Sequence, residues 1–226
     1  VVHAPELFKG SHLMDLATDD EVYRKNSIKE TQRVIDITRS LKRFFPNEKR
    51  PMIVANIGGF SMDEPFDEEK KTRYYNQFFE SLKFLDLEGV ELIPQTMAPF
   101  PWHFGGQRYQ NIFVLPEEIA HYCRENKIRM CLDVSHSMLT CNHLGLDFYD
   151  FVSKVAPFTS HLHLGDAIGV NGEGLQINEG EIDFVRLSEI LKKECPSASF
   201  IPEIWQGHKN DGEGFWIALT RLENIL

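Results

Sequence analysis

The chain has 226 residues, of which 42% are hydrophobic and 12% aromatic, so it can bury one core and is predicted to form a single domain over residues 1–226. Its 24 basic and 34 acidic residues leave a net charge of −10, opposite in sign to that of proteins that bind nucleic-acid backbones. No apolar run approaches the roughly 20 residues of a membrane span, so we expect neither a nucleic-acid nor a membrane partner.

The four cysteines form no Cys-x-x-Cys pair, and they lie in or beside predicted helices and strands; they are Cys123, Cys131, Cys141 and Cys195. Cysteines without such a pairing, placed within regular secondary structure, are typical of reduced thiols. This pattern of cysteines therefore predicts a cytoplasmic protein.

The first predicted elements are a strand end over residues 1–6, with His3 near its carboxyl edge, and a long helix that begins after Thr18. Thr18 and Glu21 have the spacing of a capping box. Apolar residues at helical spacing predict the buried stripe of this helix, which Pro46 ends, and they are Val34, Ile37, Leu41 and Phe44.

A strand over residues 52–57 follows and closes on Asn56. The next helix, over residues 67–85, has apolar residues at helical spacing that predict a core face. After Gly89, a strand is predicted over residues 90–96, with Gln95 near its end. In a parallel sheet, side chains at such strand ends face the usual position of an active site.

A long loop over residues 97–110 contains Trp102, His103, Gln107 and Arg108. Loops of this length without secondary structure are usually lids or binding loops. The alternative is a surface loop whose aromatic side chains pack on the rim of the sheet.

Residues 128–132 are apolar apart from Arg129 and predict a buried strand, and the chain changes to polar residues just where Asp133 and His136 appear. An acid and an imidazole at this edge are placed for chemistry. The alternative is that Asp133 caps the following segment and His136 is a hydrogen-bonded loop residue.

The next predicted strand, over residues 158–164, places His161 and His163 on one face because they are two residues apart. His163 lies nearer the strand end and is the better ligand candidate, whereas His161 more naturally fills an interior layer. The glycine-rich segment over residues 167–180, with Glu173 and Gln176, predicts a shaped loop that lacks the phosphate-binding motifs.

A helix over residues 183–194 leads to a strand over residues 199–204 that carries Glu203. A polar loop with Trp205, His208 and Lys209 then enters the last helix. The chain alternates strand and helix six times, which predicts an α/β fold with a parallel sheet and a spacing that suits a barrel.

The polar strand ends, with the motifs Cys-Leu-Asp-Val-Ser-His at 131–136 and His-Leu-Gly-Asp-Ala at 163–167, resemble the xylose isomerase-like TIM barrels, which include endonuclease IV and the ketose epimerases. Four further stretches, at 93–97, 101–106, 172–177 and 202–210, resemble the barrel domain fused to some bacterial N-acetylneuraminate synthases. The resemblance implies a (β/α)8 barrel in which Val1 falls at the third strand. Two strand–helix units would then precede Val1, and a fused or associated synthase domain is an expected partner.

The resemblance also implies one divalent metal ion, Mn, Mg or Zn, held at the strand ends by Gln95, Asp133, His163 and Glu203. Gln95 stands where the superfamily usually has a bridging glutamate, and Asn56 stands where the nuclease has a histidine, so a multinuclear zinc cluster is not expected. Gln95 cannot act as a base, so the expected proton-transfer groups are Glu203, Glu173 and His136.

We expect a metal-dependent sugar isomerase or epimerase that acts on a polyhydroxylated, acidic or phosphorylated sugar of sialic acid (nonulosonate) biosynthesis. Aromatic, amide, imidazole and cationic side chains are typical of sugar sites. The expected substrate-binding residues are His3, Asn56, Trp102, His103, Arg108, Gln176, Trp205, His208 and Lys209. Two alternatives remain open: a non-catalytic sugar-binding or accessory domain of such a synthase, and a phosphodiester nuclease, which the net charge disfavours.

Overall fold

The computed structural model describes residues 1–103 and 106–225, with the backbone alone at residues 102, 103, 106 and 107. The chain divides into two compact units. The first unit comprises Val1–Gln95 and Tyr109–Ile112, and the second comprises Thr96–Arg108 and Phe113–Leu226.

The described residues form seven α-helices, which are α1 (Glu21–Leu41), α2 (Glu68–Leu82), α3 (Pro116–Asn126), α4 (Val134–Leu144), α5 (Phe148–Val155), α6 (Phe184–Glu194) and α7 (Lys209–Glu223). They also form short strands, which are β1 (Val2–His3), β2 (Leu7–Phe8), β3 (His12–Leu13), β4 (Met52–Ala55), β5 (Phe60–Ser61), β6 (Glu91–Pro94), β7 (Trp102–His103), β8 (Gly106–Gln107), β9 (Tyr109–Gln110), β10 (Met130–Asp133), β11 (Thr159–Leu164), β12 (Asp166–Ile168), β13 (Gly172–Leu175) and β14 (Ser199–Pro202).

The first unit is built on a parallel sheet in the order β1-β4-β6. The middle strand β4 contributes Ile53, Val54 and Ala55, all fully buried, which is the near-continuous apolar run expected of a parallel strand covered on both faces. Helix α2 buries Tyr75 and Phe78, so its predicted core face is confirmed. Asp67 caps this helix by accepting a hydrogen bond from the backbone N–H of Lys70.

Helix α1 departs from its predicted start and its predicted buried stripe. Its N-cap is Asp20, whose side chain accepts from the N–H of Tyr23, so the expected capping box beginning at Thr18 is wrong. Only Val34 of the expected stripe is buried; Ile37, Leu41 and Phe44 are exposed. The rest of the buried face is Ser27, Thr31, Ile35 and Thr38.

This polar face is tolerated because its hydroxyl groups are paired. Thr31 and Thr38 donate to the carbonyl oxygens of the residues four positions earlier, at 2.8 Å each. The Ser27 hydroxyl accepts from the backbone N–H of Asp15 and lies 2.9 Å from His12 Nε2. A buried hydroxyl group with a hydrogen-bond partner does not carry the full cost of desolvation, so the buried face of a helix need not be apolar.

The second unit is built on a parallel sheet in the order β10-β11-β14. The predicted strands over residues 128–132, 158–164 and 199–204 correspond to these three. Helix α3 begins with Pro116 in its first turn and ends at Lys127 in the left-handed conformation. All four cysteines are buried and in the thiol form.

The glycine-rich segment after β11 forms an antiparallel hairpin of β12 and β13. Asp166, from the motif His-Leu-Gly-Asp, is fully buried at the base of this hairpin. Its carboxylate accepts hydrogen bonds from the backbone N–H groups of Ala167, Gly180 and Ile182, which satisfy the buried charge. Asp166 is therefore a structural residue that shapes the loop.

Each parallel sheet ends in a strand with a single partner among the described residues: β1 pairs with β4, and β14 pairs with β11. Along β14, Phe200 and Ile201 are 40% and 41% exposed. Completion of an eight-stranded barrel by upstream strands stays a prediction. Among the described residues, we find no helix with the length and apolar character needed to cross a membrane.

Candidate functional site

The carboxyl ends of β10, β11 and β14 bring together Asp133, His163 and Glu203. The parallel register pairs Asp133 with His163 and His163 with Ile201. Glu203 lies two residues after Ile201, so its side chain projects on the same face of the strand. One ligand atom from each of Asp133, His163 and Glu203 lies within 4.8 Å of the others.

His163 links the two carboxylates of this group. Its Nδ1 lies 2.7 Å from Glu203 Oε2 and 3.7 Å from Asp133 Oδ2. Burial lowers the pKa of His163, but hydrogen bonds with Asp133, Cys131 and Glu203 outweigh burial and hold that pKa well above its usual range. The site therefore attracts positive charge.

This donor set fits a divalent cation. Asp133 and Glu203 carry two negative charges, which balance a divalent ion when His163 is neutral, and mixed oxygen and nitrogen donors suit Mn, Mg or Zn. His161 behaves differently, because its Nδ1 lies 2.7 Å from Ser199 Oγ and its side chain is buried. His161 accordingly belongs to the interior layer, as the sequence indicates.

Asp133 combines the two roles that the sequence left open. Its Oδ1 accepts a hydrogen bond from the backbone N–H of His136 and so caps α4, while Oδ2 lies 3.2 Å from His136 Nδ1. Burial raises the pKa of Asp133, but the charges of His136 and His163 outweigh burial and lower it. Asp133 therefore serves both as the N-cap of α4 and as a carboxylate of the candidate site.

The ring of His136 is held from two sides. Nδ1 lies 3.0 Å from the carbonyl oxygen of Thr96, which can only accept a hydrogen bond, so Nδ1 carries a proton. Nε2 lies 3.4 Å from Glu173 Oε2. Burial lowers the pKa of His136, but Asp133 and Glu173 outweigh burial and raise that pKa to about 10.

These groups open onto a cavity of about 570 Å³, a volume typical of small-molecule sites. Its lining includes the expected residues Asp133, His136, Glu173, Glu203, Trp205, His208 and Lys209. The Trp205 side chain is 72% exposed, and Lys209 Nζ donates to Gln206 Oε1. The loop that carries them is tightly turned, with Gln206, Asn210, Asp211 and Gly212 all at positive φ.

Four other expected site residues have the following hydrogen-bond partners. In the first unit, Gln95 Oε1 lies 3.2 Å from His3 Nε2. Asn56 in the same unit accepts from the N–H of Gly58 and donates to Glu6. In the second unit, Gln176 donates to the carbonyl oxygen of Gly214 and is not among the cavity-lining residues.

The remaining expectations concern the loop over residues 97–110. Strands β7 and β8 of this loop pair in antiparallel orientation, but the side chains of Trp102 and His103 lie outside the described part of the structure. Arg108 is half-buried, and its backbone N–H donates to the carbonyl oxygen of Pro101. Arg108 is not among the cavity-lining residues.

Sequence reasoning missed Ser135, which lines the cavity beside His136. The Ser135 hydroxyl accepts from the N–H of Gly174 at 2.9 Å and donates to the carbonyl oxygen of Asp166. Its position inside the Asp-x-x-His stretch was a signal, but the partner that gives it meaning is 39 residues away in sequence.

Comparison with known proteins places the chain in a family. The sequence profile described as "Xylose isomerase-like TIM barrel" matches residues 1–220. No curated protein matches. A D-tagatose 3-epimerase-like protein is similar in structure, with a TM-score of 0.69 and 18% identity over 99% of this chain and 77% of that chain.

Two further solved structures are similar. The D-psicose 3-epimerase from Clostridium cellulolyticum H10, solved with D-tagatose, has a TM-score of 0.63 and 15% identity over 94% of this chain and 74% of that chain. The IolI protein with a bound zinc atom has a TM-score of 0.69 and 13% identity over 94% of this chain and 73% of that chain. These identities support the fold alone, and with the profile match they establish that the chain belongs to the xylose isomerase-like TIM barrel family.

Proposed function

We propose that this protein is a metal-dependent sugar epimerase or isomerase. The observation that carries the proposal is the convergence of Asp133, His163 and Glu203 at the edge of a cavity walled by Trp205. Similar structures include epimerases of D-psicose and L-ribulose. An indole beside imidazole and ammonium donors suits the apolar face and hydroxyl groups of a sugar.

In the proposed reaction, Asp133, His163 and Glu203 would hold one divalent metal. When bound, the metal would polarise the substrate carbonyl and a neighbouring hydroxyl group. Glu203 or His136 moves the proton on the carbon next to that carbonyl, because both line the cavity. Gln95 remains the expected fourth ligand, through its amide oxygen.

We further propose that the substrate is an acidic sugar of sialic acid biosynthesis and that the barrel works with a fused or associated synthase domain in the cytoplasm. The support is the resemblance of four sequence stretches to the synthase-fused barrel, together with His208 and Lys209 in the cavity lining. Their side chains would bind a carboxylate or phosphate group. Buried free cysteines agree with a reducing compartment.

A non-catalytic sugar-binding or accessory role is the second candidate. Amides rather than acids at Asn56 and Gln95 favour it, because an amide cannot act as a proton base. A phosphodiester nuclease is disfavoured by the net charge of −10.

Deuterium exchange separates these candidates. The full chain, with Mn²⁺, Mg²⁺ or Zn²⁺ added, is incubated in D₂O with a panel of ketohexoses and acidic sugars and followed by proton NMR. An epimerase incorporates deuterium at the carbon next to the carbonyl and forms the epimer. A sugar-binding domain shifts the sugar resonances without exchange, and that result would contradict the enzymatic proposal.

A further inference from the structure

The β12–β13 hairpin contains an irregularity where it borders the cavity. Asp166 pairs with Leu175 and Ile168 pairs with Gly172, so two steps along β12 match three steps along β13. An extra residue of this kind is a β-bulge, which turns backbone polar groups away from the partner strand. Gly174 lies at the bulge and has a φ of +66°. Its N–H and carbonyl groups therefore need partners outside the hairpin.

Both backbone groups of Gly174 have such partners in the cavity wall. The N–H donates to Ser135 Oγ at 2.9 Å, and the carbonyl oxygen accepts from the N–H of Trp205 at 2.7 Å. The Ser135 hydroxyl in turn donates to the carbonyl oxygen of Asp166, so one side chain joins both strands of the hairpin. A continuous chain of hydrogen bonds thus runs from the first turn of α4, through the bulge, to the loop after β14.

We propose that Ser135 is a positioning residue, which holds Trp205 in place against the bound sugar by acting through Gly174. This inference rests on the proposed sugar-converting function and deepens it, because it assigns how the indole wall of the cavity is fixed. Ser135 acts without donating to the substrate. Its side chain is buried, and its one hydroxyl hydrogen is used on the carbonyl oxygen of Asp166.

Trp205 depends on this support because its own packing is slight. Its indole is 72% exposed, so side-chain neighbours do little to fix it. The backbones of the hairpin and the loop are in direct contact, since a Cβ on Gly174 would lie 3.1 Å from the Trp205 nitrogen. Removal of the Ser135 hydroxyl leaves the N–H of Gly174 without its acceptor. The bulge then shifts to find another partner, and the Trp205 backbone moves with it.

The proposed metal ligand Asp133 is held by other hydrogen bonds. Its Oδ1 accepts from the N–H of His136, and its own backbone N–H donates to Thr96 Oγ1 at 2.9 Å. The Ser135 hydroxyl takes part in neither bond. A substitution that removes this hydroxyl should therefore weaken the binding of sugar and leave the binding of metal unchanged.

The test is a double-mutant cycle on the full chain with Mn²⁺ added. It compares the wild type, Ser135→Ala, Trp205→Ala and the variant that carries both changes. Calorimetry measures the dissociation constants for Mn²⁺ and for the sugar that the wild type converts, and an epimerisation assay measures KM and kcat.

Two variants on α6 serve as controls. Ser188→Ala removes another buried serine hydroxyl, which donates to the carbonyl oxygen of Val185 within its own helix. Glu189→Gln changes an exposed side chain that is not among the cavity-lining residues. Both should bind sugar and metal like the wild type.

We expect Ser135→Ala to weaken sugar binding by about three- to five-fold, close to the effect of losing the indole itself. KM should rise by the same factor and kcat should change by less than about two-fold, because the wall binds the sugar throughout the reaction. The affinity for Mn²⁺ should stay within about two-fold of the wild type. In the Trp205→Ala background, Ser135→Ala should change sugar affinity by less than about 1.5-fold, because the residue through which it acts is gone.

Fluorescence tests the same chain of hydrogen bonds without any sugar. The chain has three tryptophans, so the changes Trp102→Phe and Trp216→Phe leave Trp205 as the single emitter. In this background, time-resolved anisotropy should show more rapid motion of the indole in Ser135→Ala than in Ser188→Ala. Gly174→Ala should have the same effect from the other end of the contact, because its Cβ crowds the Trp205 nitrogen at a positive φ.

Two results would overturn the inference while leaving the proposed function intact. One is unchanged motion of the indole in Ser135→Ala, and the other is an equal loss of sugar affinity with and without the Trp205 side chain. Failure of the wild type to convert any of the sugars tested would instead overturn the proposed function, and the sugar-binding role of Ser135 with it.

Discussion

Trp205 is the residue whose exposure most clearly calls for a ligand. Its indole is 72% exposed and lies in the cavity wall, where packing explains little of its presence. We expect Trp205→Ala to weaken binding of the converted sugar by about 1 kcal/mol or more, roughly five-fold, with little change in melting temperature. Trp216 is the matched control, because it is 67% exposed but lies on α7 in a separate groove.

Calorimetric titration of both tryptophan variants measures this difference. Equal sugar affinities for Trp205→Ala and Trp216→Ala would show that Trp205 is not part of the sugar site. A fall in melting temperature for Trp205→Ala alone, with its sugar affinity unchanged, would assign the indole a packing role.

Asp15 predicts a pH dependence of stability that is independent of the cavity. Burial raises the pKa of its carboxyl group from 3.8 to about 7, against hydrogen bonds from the backbone of Ala17, Gly59 and Thr18. Because the folded chain holds this proton more tightly, the contribution of Asp15 is full below about pH 4 and is lost as the pH rises to 7.

Asp15→Asn removes this titration, so the variant should gain stability relative to the wild type between pH 5 and pH 7, by roughly 2 kcal/mol. Urea unfolding at pH 5, 6 and 7 measures the difference. A constant difference between the two proteins across that range would mean that Asp15 ionises normally in the folded chain.

Helix α1 shows which parts of an element can be predicted from sequence. Its existence and its approximate limits follow from apolar spacing and from Pro46, but its orientation does not. Three of four expected core residues are exposed, because Ser27, Thr31 and Thr38 occupy the buried face with paired hydroxyl groups. The spacing of apolar residues cannot predict that a hydroxyl group will be buried when its hydrogen-bond partner, such as the N–H of Asp15, comes from another segment.

Ser27→Ala tests this polar packing. The substitution leaves the buried N–H of Asp15 without its acceptor, so we expect a loss of about 1–3 kcal/mol in the free energy of unfolding. Ser40→Ala is the matched control in the same helix, because the Ser40 hydroxyl is exposed and should change stability by less than about 0.5 kcal/mol. Similar losses for both variants, measured by urea unfolding, would contradict this account of the α1 core face.

The β12–β13 hairpin marks the limit of site prediction. Asp133, His163 and Glu203 could be found from sequence because each follows or ends an apolar strand, and parallel register brings such ends together. Glu173 could be named as a candidate, but its position depends on Ser135 and Trp205, which contact Gly174 from distant segments. Hydrogen bonds of this kind leave no periodic signal in the sequence.

At the scale of the whole molecule, the alternation of strands and helices was sufficient to predict a parallel α/β chain, and the family match over residues 1–220 confirms a xylose isomerase-like TIM barrel.

Metal binding should also change the melting temperature of the whole chain. A ligand at about 100 times its dissociation constant stabilises a folded protein by about 2.7 kcal/mol. For a chain of this length we therefore expect melting to rise by roughly 5–10 °C in the wild type and to stay unchanged in Asp133→Asn.

The most direct test is a calorimetric titration of the full chain with Mn²⁺, Mg²⁺ and Zn²⁺, alongside Asp133→Asn, His163→Gln and Glu203→Gln. We predict one ion per chain in the wild type and a loss of affinity of at least about 100-fold in each variant, with Glu189→Gln unaffected. Wild-type binding no tighter than that of the three variants would contradict a metal centre at Asp133, His163 and Glu203.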